Sequence, residues 1–125
     1  MINWAWERSQ IAAAAAIHRV DPDYIEAIRV AENGAPGREF GVLDQGADTY
    51  EAQLRIACRS VAHRLAECPF NPLTWSDGKS RYKAEFVKWF AGKWAPPGAG
   101  NDPDNLNPAW FRNAWSAYEV RIQGT

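Results

Sequence analysis

The sequence predicts a mainly α (α+β) fold of about five helices and one small β element, in a single domain spanning residues 1–125. Three observations carry this. Apolar residues recur at helical spacing in several separate stretches. A polar cap followed by proline marks a helix start twice, at Asp21-Pro22 and Asn107-Pro108. Only one short stretch, Glu39 to Leu43, marked by Gly41 and Gly46, carries a β-like pattern.

Taken in order, Trp4 to about Arg19 reads as a helix. Its five consecutive alanines favour helix, and Trp4, Ile11, Ala15 and His18 supply an apolar stripe. Asp21 caps a second helix that runs from Pro22 to about Asn33 and stops at Gly34, Pro36 and Gly37. Glu39–Leu43, with Phe40 and Val42 on one side, is expected as a small irregular hairpin. Asp48-Thr49-Tyr50-Glu51 reads as a capping box, with Asp48 as the cap of a third helix. Tyr50, Leu54, Ala57, Val61 and Leu65 form its stripe, up to about Glu67. Pro69, Asn71, Pro72, Asp77 and Gly78 predict a loop, and a fourth helix is expected from about Ser80 to Lys93. Pro96 to Asp104 is turn-rich, and a last helix follows from Pro108 to about Arg121.

Composition excludes several classes. At 125 residues the chain buries roughly two thirds of its unfolded surface and needs no disulfide or metal to fold. Fourteen Lys+Arg against 15 Asp+Glu leave a net charge of −1, so nothing marks a nucleic-acid partner. Two Cys make neither a disulfide framework nor a four-Cys zinc site, and no cofactor motif is present. Asn101 to Asn105 alternates oxygen-bearing side chains as calcium loops do, but lacks their later glycine and acid, and reads as a turn. His18 and His63 carry no ligand pattern, so no metal is expected. The run Ile11 to Ile17 is too short to span a bilayer and lacks a basic preceding region. Neither membrane insertion nor a signal peptide is expected.

One residue does not fit its helix. Ile25 and Ile28 mark the core stripe of the second helix, and at 3.6 residues per turn position 32 falls nearly in line with them. That position is Glu32. A carboxylate on a buried stripe, in the last turn where the helix dipole disfavours negative charge, should have a raised pKa, as a general acid needs. The plainer reading is a surface ion pair with Arg29, although Glu26 suits that pairing better. Gly34, Gly37 and Gly41 then let the backbone turn and approach a ligand beside Glu32.

The stretch Val20-Asp21-Pro22-Asp23-Tyr24-Ile25-Glu26-Ala27-Ile28-Arg29-Val30-Ala31-Glu32-Asn33-Gly34 resembles the catalytic helix of lysozyme-like muramidases and lytic transglycosylases. Phe40-Gly41-Val42 is similar to the small hairpin that follows that helix. The downstream Tyr82, Phe86, Phe90-Ala91, Trp94 to Ala99, Asn101-Asp102-Pro103, Leu106-Asn107, Trp110 and Asn113 resemble the C-terminal half of phage-encoded wall hydrolases of the glucosaminidase/lysozyme-like group. The resemblance spans roughly residues 10–120. It implies a lysozyme-like fold with the β-hairpin after the catalytic helix. It also implies a glycan cleft and a peptidoglycan-degrading activity on the β-1,4 backbone, with Glu32 as general acid. The chain departs from the transglycosylase pattern in having Asn33 after the Glu, no Gly-Leu-Met-Gln, and no Tyr-rich signature beyond Tyr118.

Glycoside hydrolysis usually uses two carboxyl groups. Asp44 and Asp48, beyond the hairpin, are the candidate partners ahead of Glu39; Asp48 is better explained as a helix cap, and a turn residue before Gly46 is the alternative role of Asp44. With one acid alone, a transglycosylase or substrate-assisted route would fit. Trp89, Trp110 and Trp115 are expected in the core. Trp75 and Trp94, beside loops, are the Trp candidates for stacking on sugar. Asn33, Phe40, Gly41, Asn107 and Asn113 are further candidates for lining the cleft. The expected partners are peptidoglycan strands and other virion or tail proteins. The expected route is synthesis in the cytoplasm and action on the wall after release or delivery in a phage-like particle. The alternative is a virion or tail-tip component that keeps the fold and binds glycan without cutting it.

Overall fold

The computed structural model describes residues 2–94 and 108–123, and its helices begin where capping residues stand. Asn3 accepts from the Trp6 N–H and opens α1 (Trp4–His18). Asp21 Oδ1 accepts from the Asp23 N–H at 2.9 Å and opens α2 (Pro22–Glu32), with Pro22 at the first position. Thr49 Oγ1 accepts from the Ala52 N–H at 3.1 Å and opens α3 (Tyr50–Glu67). The cap of α3 is therefore Thr49 and not Asp48, and with Ala52 at the third helical position the expected reciprocal capping box is not formed.

Strands β1 (Leu73–Ser76) and β2 (Lys79–Tyr82) form an antiparallel pair, followed by α4 (Ala84–Trp94) and α5 (Pro108–Gln123). The described residues are thus mainly helical, with one two-stranded sheet. The hairpin lies between α3 and α4, inside the stretch expected to be a loop and the first turn of a helix. Its turn is Asp77-Gly78, both at positive φ (51° and 77°), the tight two-residue connection that Asp-Gly favours. Lys79 to Tyr82 are strand, so α4 starts at Ala84 and not near Ser80.

The expected hairpin at Glu39–Leu43 is not formed. Gln53 of α3 takes the place of a partner strand there. Its buried amide oxygen accepts from the Phe40 and Val42 N–H groups (3.2 and 3.1 Å), and its nitrogen donates to the carbonyls of Val42 and Ala47. One side chain thereby satisfies four backbone groups of the segment.

The core is organised around α2. Tyr24, Ile25, Ala27 and Ile28 are buried, and the Tyr24 ring meets Tyr82, Phe90 and Tyr118 edge-on with centroids 5.2–5.6 Å apart. The polar side of α2 is buried as well. Arg29 donates to Glu7 of α1 at 2.7 and 3.2 Å, and the Tyr50 hydroxyl donates to the same carboxylate at 3.0 Å. Arg29 is therefore not the surface partner of Glu32 or Glu26. Glu26 instead accepts from Arg8 and Arg121. At the other end of α2, Arg81 of β2 donates to Asp21 and Asp23, tying the sheet to the helix start. Breaking one partner of a buried pair such as Glu7–Arg29 typically costs about 3–5 kcal/mol, so α2 is held rigidly at both ends.

Candidate active site

The last turn of α2 is where the chain turns out of its core. Asn33 caps it in the left-handed region (φ 45°, ψ 43°), its N–H donating to the Arg29 carbonyl at 3.0 Å. Asn is among the few residues with a side chain that tolerate this conformation, which accounts for an Asn at this place. Glu32, one residue earlier, is half-buried.

Two indoles reach the Glu32 carboxylate from distant parts of the chain. Trp110 Nε1 of α5 donates to Oε2 at 3.0 Å, and Trp94 Nε1 at the end of α4 donates to the same oxygen at 3.4 Å. Burial raises the Glu32 pKa above its ordinary 4.5, and the two indole donations oppose that rise without cancelling it. Since Oε2 already accepts twice, the proton of the acid form belongs on Oε1.

Gly41 stands against this group. Its φ is +73°, and a Cβ built there would overlap the Glu32 carboxyl, lying 2.7 Å from Oε2 and closer still to Oε1. Both the backbone conformation and the space require glycine.

Gly41 and Trp94 are also walls of a hollow of about 260 Å³ completed by Val42, Leu43, Asp44, Ile56 and Ser60. A longer groove of about 690 Å³ adjoins it, sharing Asp44, Ile56, Ser60 and Trp94, and runs on along α3 and the end of α4. The Trp94 ring stacks on Phe90 (5.6 Å between centroids, 21° between planes), which fixes it as one wall of both. Gly41, Asp44 and Trp94 thus share one hollow, and Glu32, which lines neither space, meets it through its contacts with Gly41 and Trp94.

The other expected cleft residues lie elsewhere. Phe40 is fully buried and packs edge-on against Tyr50, so it is a core residue and lines no cleft. Its own N–H and that of Val42 donate to Gln53, which holds this backbone against α3. Asn33 serves as the helix cap. Trp75 is 74% exposed on β1, beside a hollow shared with Trp115 and Ile122 and not among the walls of the hollows at Trp94. Asn113 is exposed on α5, beside Val30 and Val120. Asn107 and the Asn101–Asn105 turn lie outside the described residues.

Sequence reasoning missed two residues. Trp110 is buried as expected, but its indole N–H is spent on Glu32. Gln53 shapes the loop carrying Gly41 and Asp44. A fully buried Gln on an otherwise apolar helix face is a local signal that could have found the second. Only tertiary structure reveals the first. Among the described residues no group of His, Cys, Asp and Glu side chains could hold a metal ion, and no helix is long and apolar enough to cross a membrane. Cys58 is buried, with its thiol pushed up to about 12 by burial, and both Cys58 and Cys68 are free. No protein family, curated protein or solved structure matches the chain.

Proposed function

We propose that the protein is a lysozyme-like glycosidase that cleaves the β-1,4 glycan backbone of bacterial cell-wall peptidoglycan, with Glu32 as its general acid. The observation that carries this reading is the Glu32 carboxyl itself. It is desolvated, anchored through one oxygen by two indole N–H groups, and set against a glycine whose missing side chain leaves it room. A carboxyl whose pKa burial raises suits proton donation to a leaving-group oxygen.

In this mechanism a sugar ring lies over the Trp94 face and the scissile oxygen meets Oε1 of Glu32. The Oε1 proton passes to that oxygen as the bond to the anomeric carbon breaks, and positive charge develops on the ring. Asp44, on the shared wall of the two hollows, stabilises that charge or orients the attacking water. The acid then recovers its proton from the incoming water, or from the sugar's own hydroxyl where an anhydro product forms.

The test is clearing of purified cell walls by the wild type and by Glu32→Gln. The variant should lose about 10²–10⁴-fold in rate while remaining folded. Equal clearing by both proteins would remove Glu32 as the acid. No clearing by either would favour the reading as a glycan-binding virion component. Mass spectrometry of the released fragments then separates hydrolysis, which leaves a reducing sugar, from transglycosylation, which leaves an anhydro sugar.

A further inference from the structure

The net charge of −1 hides a local excess. The groove running from Trp94 along α3 is lined by Arg59, Arg64, Lys93 and both histidines of the chain, with Asp44 as its one acidic lining residue among the described residues. Arg64 and His63 are engaged by Glu67. Arg59 and Lys93 are exposed and form no ion pair among the described residues, and the Lys93 ammonium lies 5.6 Å from the centre of the Trp89 ring. The Glu67 carboxylate also acts on Lys93, so Arg59, Arg64 and Lys93 stand against Asp44 and Glu67 and leave the groove with a positive excess beyond its aromatic wall. A concave site concentrates such a field and favours an anion more than a flat surface would.

We infer that this groove is a subsite for a carboxylate-bearing arm of the glycan strand, with Arg59 and Lys93 as its recognition residues. The inference rests on the glycosidase reading and deepens it. A strand whose ring lies on Trp94 would carry its peptide substituent along the groove toward these cations. Because arm and sugar are covalently joined, the second contact forms within one ligand and adds affinity without separate capture. Arg59 and Lys93 stand on different helices, α3 and α4, so the pair also fixes the direction in which the strand lies.

The experiment uses full-length Glu32→Gln protein, which should bind without cutting, and calorimetric titration with three probes. These are a disaccharide-peptide with free carboxylates, a neutral chitooligosaccharide of equal sugar length, and the free peptide. The intact acidic ligand should bind best, and high salt should erase much of its advantage over the neutral sugar. Arg59→Glu combined with Lys93→Glu should weaken the acidic ligand by about tenfold or more and leave the neutral sugar within about twofold. Arg59→Gln with Lys93→Gln provides the same comparison with milder substitutions, should the reversed pair fold poorly. Equal binding of acidic and neutral sugars, or variants that lose neither or both, would overturn the subsite. Free peptide binding as tightly as the intact ligand would overturn the link to the strand. Failure of wall clearing, by contrast, bears on the glycosidase reading and not on the subsite, because the preference for the acidic ligand is read without turnover.

Discussion

The indole N–H of Trp110 meets Oε2 of Glu32 at 3.0 Å across 78 residues of sequence. The acid is therefore assembled from two helices that lie side by side in the fold, α2 supplying the carboxyl and α5 its donor. The bond favours the ionised carboxylate, while burial favours the neutral acid, and burial wins.

Trp110→Phe should expose that balance. The ring volume is largely kept and the donor is lost, so the Glu32 pKa should rise further. A general acid works only while protonated, so activity falls as pH rises through its pKa. The alkaline limb of the pH–rate profile should consequently move to higher pH in the variant. A profile that stays in place would show that Trp110 does not act on the reacting group.

The same shift makes a stability prediction of definite sign. A folded-state pKa raised above the unfolded value of about 4.5 means that the folded state holds its proton more tightly. Below the unfolded pKa both states are protonated and Glu32 costs nothing. As pH rises through the folded pKa, ionising a half-buried carboxyl increasingly destabilises the fold. Glu32→Gln should therefore be more stable than wild type at neutral pH, and the difference should shrink on acidification. Thermal melts at a series of pH values measure it.

Much of this was legible in the sequence, and the limits have physical causes. Asp21-Pro22 sets the start of α2 because capping is a local effect, and position 32 follows from helix geometry alone. The hairpin was misplaced because Phe40 and Val42 alternate as strand residues do, while their backbone partner is the Gln53 side chain 13 and 11 residues away. The real hairpin was hidden by prolines and polar residues around Asp77-Gly78, although that dipeptide is itself a hairpin signal. Trp94 and Trp75 both stand beside loops in the sequence, and only Trp94 meets Glu32, so loop proximity does not discriminate between them.

Gly41→Ala should separate a catalytic glycine from a structural one. The left-handed backbone alone costs an alanine about 1–2 kcal/mol. The new Cβ would also push the Glu32 carboxyl off its two indole donors. Displacing a reacting group by about 1 Å can cost roughly 10²-fold in rate. Wall clearing, corrected for folded protein by a urea melt, should therefore fall by about that factor. If the loss follows the folded fraction alone, the glycine serves only the turn.

Tyr24 and Tyr118 offer a contrast in sign within one cluster. Both rings are fully buried 5.4 Å apart. The Tyr118 hydroxyl donates to Asp21 Oδ2 at 2.6 Å and accepts from the Tyr82 N–H at 3.0 Å. The Tyr24 hydroxyl has no hydrogen-bond partner among the described residues. Burying an unsatisfied hydroxyl typically costs about 1–3 kcal/mol, so Tyr24→Phe should raise stability, by about 1 kcal/mol. Tyr118→Phe should lower it by about 1–3 kcal/mol, because it strands the Tyr82 N–H and removes a donor from the carboxylate that caps α2. Chemical denaturation of the two variants reads both effects. Opposite signs for the same deletion of one hydroxyl oxygen would show that partners and not ring packing decide the outcome.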